Sequence, residues 1–190
     1  MWWFYTVILG MSFAQVLQEL ALVVRERSRN RTRKPHVPAM LWQVFLLALI
    51  VEVWLAATYY RDTVTQISIL ELLAFLLVPA GILVMSFLLP EAQHDRDREG
   101  DPAAAFAQVR SLFFGVLIAI VAVYLLHGFL IGQQGWDADL LFQCLIIAGA
   151  VVGLFLRSTV ADVALAVVMI GVVAAYIGVA YSTVLVDGTG

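Results

Sequence analysis

Long apolar runs broken by short charged stretches set the pattern of this chain. Cut at its charges and prolines, the sequence leaves six runs, at about 3–24, 39–60, 66–89, 111–133, 139–156 and 160–185. Roughly 20 apolar residues are what an α-helix needs to cross a ~30 Å hydrocarbon core. Backbone in lipid must satisfy its own hydrogen bonds, so the short connections Arg61–Thr65 and Arg157–Thr159 read as tight antiparallel helical hairpins. The pattern predicts one all-α domain over 1–190, a polytopic membrane bundle of six transmembrane helices.

Local signals refine this picture. The only sizeable connection runs from Glu91 to Arg110, and within it Asp101-Pro102 reads as an N-cap followed by the first helical position. The Ala-rich stretch from Ala103 is then expected to continue into the fourth span as one long helix, extending beyond the membrane. Pro79 predicts a kink in the third span. Gly149-xxx-Gly153 and Gly171-xxx-Ala175 predict close helix approach.

Charge placement predicts orientation. Arg25, Arg27, Arg29, Arg31, Arg33 and Lys34 fall in the first connection, Arg96, Arg98 and Arg110 in the third, and Arg157 in the fifth, leaving Arg61 alone on the opposite side. Cytoplasmic loops carry the positive excess, so both termini are expected on the non-cytoplasmic side of a plasma membrane, the bacterial inner membrane. The first basic group is also expected to meet anionic lipid headgroups, although fixing topology is the commoner role of such a cluster. Met1 is followed at once by Trp2, Trp3, Phe4 and Tyr5, an interfacial aromatic cluster with no basic n-region or cleavage site, so the first span is expected to be retained.

An offset of 100 residues aligns the first three spans with the last three. Phe13 meets Phe113, Leu41-Trp42-Gln43 meets Leu141-Phe142-Gln143, and Asp62 meets Asp162. Three crossings reverse direction, so this would be a weak 3+3 inverted repeat, a pattern many transporters use.

Composition narrows the function classes. With 63% hydrophobic residues, 13% charged residues and a mean hydropathy of +0.95, the chain lies outside the range of soluble domains. Its net charge of -3 gives no reason to expect nucleic acid. A single cysteine, Cys144, builds neither a disulfide framework nor a cysteine metal site. Asp95 to Asp101 resembles the front half of an EF-hand loop, but Phe106 stands where the bidentate Glu belongs and two Arg offset the acids, so a solvated charge run is expected. No HExxH, G-x-S-x-G or phosphate-binding glycine loop is present. No cofactor, metal or enzymatic activity is expected.

Ionisable side chains at membrane depth cost roughly 2.5 to 3.5 kcal/mol each when charged, and each needs an account. The candidates for an ion or proton path are Glu19, Glu52, Glu71 and His127, with Gln15, Gln43 and Gln143 as uncharged companions. Glu52, Glu71, His127, Tyr124, Gln143, Tyr176 and Tyr181 are expected toward the outer side as a polar cavity, and Glu19 and Gln43 toward the inner end. Interhelical hydrogen bonding that merely holds the bundle together competes with this reading.

Pro38-Ala39-Met40-Leu41-Trp42 after an Arg-rich loop, Trp54 to Tyr60-Arg61-Asp62, and Phe87-Leu88-Leu89-Pro90-Glu91 resemble a group of uncharacterised bacterial six-helix membrane proteins, a resemblance that implies no activity. In length, in the Leu41-Trp42 start of its second span and in its Leu-rich third span with Pro79, the chain is also similar to the small prokaryotic six-helix potassium channels that assemble as tetramers. It departs from them at Phe4-Tyr5-Thr6, where that family has Phe-Ser-Asp, and no pore residue carries over. The expectation is a small homo-oligomeric channel or secondary transporter for a cation or proton, centred on Glu52. The competing expectation is a non-transporting scaffold or sensor that binds lipid or a partner through its basic first and charged third connections.

Overall fold

The computed structural model describes residues 2–29, 37–63, 69–94, 102–130, 138–156 and 158–181. Among them are six α-helices: α1 (Trp2–Arg29), α2 (Val37–Thr63), α3 (Ile69–His94), α4 (Pro102–Leu130), α5 (Ala138–Phe155) and α6 (Thr159–Ala180). All six are long and apolar enough to cross a membrane, and the chain is an all-helical, multi-pass membrane protein.

Local chemistry explains the helix ends. α4 begins at Pro102, as expected, because proline's missing N–H is no loss in the first turn. α5 and α6 carry Asp139 and Asp162 in their first turns. There the unpaired N–H groups and the positive end of the helix dipole favour a carboxylate.

Several boundaries differ from the sequence reading. α1 runs on through Arg29, so Arg25, Arg27 and Arg29 lie on a helical extension and not in a loop. α3 continues past Leu89 to His94 and runs through Pro79. α6 ends at Ala180, where the Tyr181 N–H caps it by donating to the Ile177 carbonyl at 3.1 Å. Arg110, assigned from sequence to a loop, sits two turns inside α4 with its side chain only 12% exposed. The EF-hand-like stretch Asp95 to Asp101 lies outside the described residues, while Phe106 is buried.

The helices close into a ring in the spatial order α1, α3, α4, α5, α6, α2 and back to α1, with α2 also reaching α3. Tyr5 stacks on Phe75 at 4.2 Å, which sets α1 parallel to α3. Trp42 bonds to Asp162, which sets α2 parallel to α6. Gly81 against Ile120, Gly153 against Phe114 and Gly149 against Met169 mark the antiparallel pairs α3/α4, α4/α5 and α5/α6. At both α5 glycines a Cβ would collide with the facing side chain, so Gly149-xxx-Gly153 is used for close approach within the chain.

Of the pairs a 3+3 repeat would make equivalent, α1/α2 matches α4/α5 and α2/α3 matches α5/α6. The extensive α1/α3 pairing, however, is not matched by an α4/α6 pairing of comparable extent among the described residues.

The ring has two distinguishable ends. The basic end gathers the C-termini of α1, α3 and α5 with the N-termini of α2, α4 and α6. The terminal end carries Trp2 and Tyr181. α2 is the most enclosed helix, and its Trp42, Phe45 and Leu46 are fully buried against Phe113, Phe114 and Leu117 of α4 and Met169 of α6 in one continuous core.

Candidate functional site

Besides the buried Ser12 and Glu19 of α1 and Ser86 of α3, polar groups gather in this core in two layers, one toward each end, and α6 contributes to both. Its inward stripe is Asp162, Ala166, Met169 and Val173, and Tyr176 follows at the next helical step. Asp162 and Tyr176 are fourteen positions apart, about 21 Å along the axis at 1.5 Å per residue.

At the basic end the centre is Asp162, 3% exposed. Arg110 donates from Nη2 to its Oδ1 at 3.0 Å and from Nε to the Gly153 carbonyl at 2.7 Å. Trp42 Nε1 donates to the same Asp162 oxygen at 3.3 Å. The guanidinium lies 5.9 Å from the ring centre of Phe106 and 5.7 Å from that of Phe114. Four helices are thereby tied at one point: α2 through Trp42, α4 through Arg110, α5 through Gly153 and α6 through Asp162. Beside Trp42, the Gln43 side chain is 1% exposed, and neither its amide nitrogen nor its oxygen has a partner among the described residues.

At the terminal end the centre is Asp139. Tyr176 donates its hydroxyl to Oδ1 and Gln143 its amide nitrogen to Oδ2, each at 2.7 Å. The Tyr176 ring is held in place by stacking on Phe142 at 4.1 Å, with Tyr181 edge-on at 6.2 Å. Glu52 of α2 is 7% exposed and feels the Asp139 charge. Tyr5 of α1, Tyr124 of α4 and Tyr181 also lie toward this end of the ring. Burial and the nearby carboxylates of Glu52 and Asp139 push the Tyr181 phenol up, which keeps it a neutral donor and acceptor. The Gln143 carbonyl oxygen is buried and unpartnered among the described residues.

Between the layers the core is apolar: Leu46, Leu49 and Ile50 of α2, Ile146 and Ala150 of α5, and Ala166 and Met169 of α6. Gln43 and Glu52 bracket this septum on α2, nine positions or about 13 Å apart.

The path candidates read from sequence divide accordingly. Gln143 binds Asp139, Glu52 is buried on α2 toward the same end, and Gln43 lies in the basic-end layer. Glu19 is buried in α1, and Gln15 and Glu71 are half-buried, Glu71 in the first turn of α3. The His127 side chain lies outside the described residues.

Of the basic headgroup candidates, Arg25 is exposed. The side chains of Arg27 and Arg29 and the whole of Arg31, Arg33 and Lys34 lie outside the described residues.

Sequence reasoning missed Asp139, Asp162 and Arg110 as site residues. Each lies near a run boundary: Arg110 was counted in the third connection, while Asp139 and Asp162 fell at the start of the fifth and sixth runs and were not weighed as site residues. The usable signal was an acid at the first turn of an apolar run, where the helix N-terminus stabilises it.

No protein-family model, no curated protein and no solved structure matches this chain.

Proposed function

We propose that this protein carries a monovalent cation or a proton across the bilayer, with Glu52 and Asp139 as the binding carboxylates and no chemical transformation of the cargo. One observation carries the reading: two acids, Glu52 of α2 and Asp139 of α5, lie toward the same end of a ring of apolar helices, Glu52 nearly fully buried. Charged groups at that depth are costly, and a cationic occupant offsets the cost by neutralising them. Gln43 and the Arg110–Asp162 pair would line the route at the other end, beyond the apolar septum. A dry septum between two polar layers is what a closed or occluded transporter conformation requires.

Homo-oligomeric assembly belongs to the same proposal. Gly171 and Ala175 lie on the exposed face of α6, and a Cβ added at Gly171 would meet open space, so a second copy could approach there.

Flux from proteoliposomes containing the purified chain tests the reading, with wild type compared against Glu52→Gln and Asp139→Asn. Transport that either substitution abolishes supports it. Absence of flux under every cation gradient overturns it and favours a non-transporting scaffold or sensor that engages lipid or a partner through its basic first connection.

A further inference from the structure

The terminal-end layer carries information about the cargo itself, given the transport reading on which this inference rests. Asp139 has both oxygens engaged by donors, the Tyr176 hydroxyl and the Gln143 amide. The same Gln143 side chain has its carbonyl oxygen buried and unpartnered among the described residues. Its side chain is 3% exposed, so bulk water does not satisfy that oxygen. What remains unanswered at this layer is therefore hydrogen-bond acceptance from Gln143 Oε1, at an end of the ring that also holds the carboxyl groups of Asp139 and the buried Glu52. A buried acceptor is satisfied by a donor hydrogen.

We infer that the site between Glu52, Asp139 and Gln143 binds a hydrogen-bond-donating cation, a proton carried on water or an ammonium ion, in preference to a bare alkali-metal ion.

The alternatives differ in what they require. A bare metal ion is held by a shell of several oxygen atoms directed at it, about six for the hard cations. Here each Asp139 oxygen already accepts one directional hydrogen bond, which leaves fewer lone pairs for a metal shell, and the Tyr176 hydroxyl is turned toward Asp139. An ion with its own N–H or O–H groups needs only a few acceptors in the right directions, and the carboxyl groups of Glu52 and Asp139 at the same end would meet its charge. The other titratable groups toward this end fit a cationic occupant. Tyr5 of α1, Tyr124 of α4 and Tyr176 and Tyr181 at the end of α6 are phenols, and Glu71, in the first turn of α3 at the same end, is a third acid. Gln143 is then a specificity residue: its amide nitrogen fixes Asp139 and its oxygen reads the donor hydrogen of the cargo.

Ammonium and potassium ions have the same charge and nearly the same radius, and only ammonium donates hydrogen bonds, so the two together isolate the property at issue. Charge uptake into proteoliposomes of the full chain is measured with a voltage-sensitive dye under gradients of ammonium, potassium or sodium at constant pH. A lumenal pH dye follows a gradient of protons alone. The expected result is an ammonium or proton rate at least about tenfold above potassium and sodium, because sites built to hydrogen-bond a ligand strongly reject analogues that lack the group. Uptake of ammonium at constant pH identifies ammonium as the source of the donor hydrogens, and uptake only under the proton gradient identifies the proton. Gln143→Met, which removes the acceptor while keeping the side-chain length, is expected to lower the favoured rate at least about tenfold. The wild-type ratio decides the matter by itself if that variant does not fold. Potassium or sodium carried as fast as ammonium and protons overturns this inference and leaves the transport reading standing. No flux of any ion overturns both.

Discussion

Arg110 and Asp162 form a buried ion pair, 3.0 Å between Nη2 and Oδ1, that joins the start of α4 to the start of α6. The pair is completed by neutral partners: Trp42 adds a second donor to the same carboxylate oxygen, and the Gly153 carbonyl takes the guanidinium's Nε–H. Removing one member of such a pair leaves the other charge buried and unmatched, which typically costs about 3–5 kcal/mol, whereas replacing both by apolar groups of similar volume is often near neutral. Arg110→Met and Asp162→Leu are each expected to lower stability by about that amount, with the double variant markedly less affected than the sum. Reversible unfolding in mixed micelles, arranged as a double-mutant cycle, measures this. Additive losses would mean that the two charges do not depend on one another.

The glycines of α5 and α6 separate packing inside the chain from packing outside it. A Cβ at Gly153 would meet the Phe114 ring, which is locked by Trp42 and Phe113 and cannot yield. Gly153→Ala is therefore expected to destabilise by about 1–3 kcal/mol, the cost of overpacking, and to disturb the carbonyl that Arg110 uses. Gly149→Ala meets the flexible Met169 side chain and is expected to cost less. Gly171→Ala meets nothing within the chain and is expected to leave the monomer fold unchanged. If α6 forms a contact between copies, Gly171→Leu shifts the protein toward smaller particles in size-exclusion chromatography with light scattering, at unchanged helicity.

How much of this was legible in the sequence depends on the kind of signal. The six helices were, because a run of about 20 apolar residues has one dominant solution in a bilayer. Gln43, Glu52 and Gln143 were legible as buried polar groups, since a polar residue in mid-run has nowhere cheap to go. That Gln143, Tyr176 and Tyr181 lie at similar depth was legible, and the structure adds the Asp139 that Gln143 and Tyr176 share. Asp139, Asp162 and Arg110 were not, because near a helix end a charged residue reads equally well as solvated, and only the ring order brings α4, α5 and α6 together around them. Trp42 was noticed as part of a resemblance. Its indole N–H reaching Asp162, 120 positions away, is a tertiary fact with no local trace.

Tyr176 offers a test of the terminal-end layer that keeps its packing intact. Tyr176→Phe removes the hydroxyl that bonds Asp139 Oδ1 and preserves the ring that stacks on Phe142. A hydrogen bond to a charged group contributes about 1.5–3 kcal/mol, and loss at the upper end of that range is expected only if Asp139 is ionised in the resting protein. The informative comparison is Tyr176→Phe in the Asp139→Asn background. There the acceptor is neutral, and the cost of losing the hydroxyl should fall to about 0.5–1.5 kcal/mol. An unchanged cost in both backgrounds would show that the carboxylate is already neutral at rest.

Gln43 distinguishes a route from a scaffold most directly, because the two roles predict opposite signs. A buried amide with neither atom partnered within the described residues carries a desolvation penalty of about 1–3 kcal/mol. Gln43→Met relieves that penalty at similar volume and is expected to raise stability by a comparable amount. A side chain kept only to hold helices together would lose hydrogen bonds on the same change, and stability would fall. If Gln43 lines the route between the septum and the basic end, the same substitution also makes that stretch apolar and slows flux in the proteoliposome assay. Higher stability with lower flux is the pattern of a residue retained for activity at the expense of the fold. Higher stability with unchanged flux would place the route elsewhere in the ring and remove Gln43 from it.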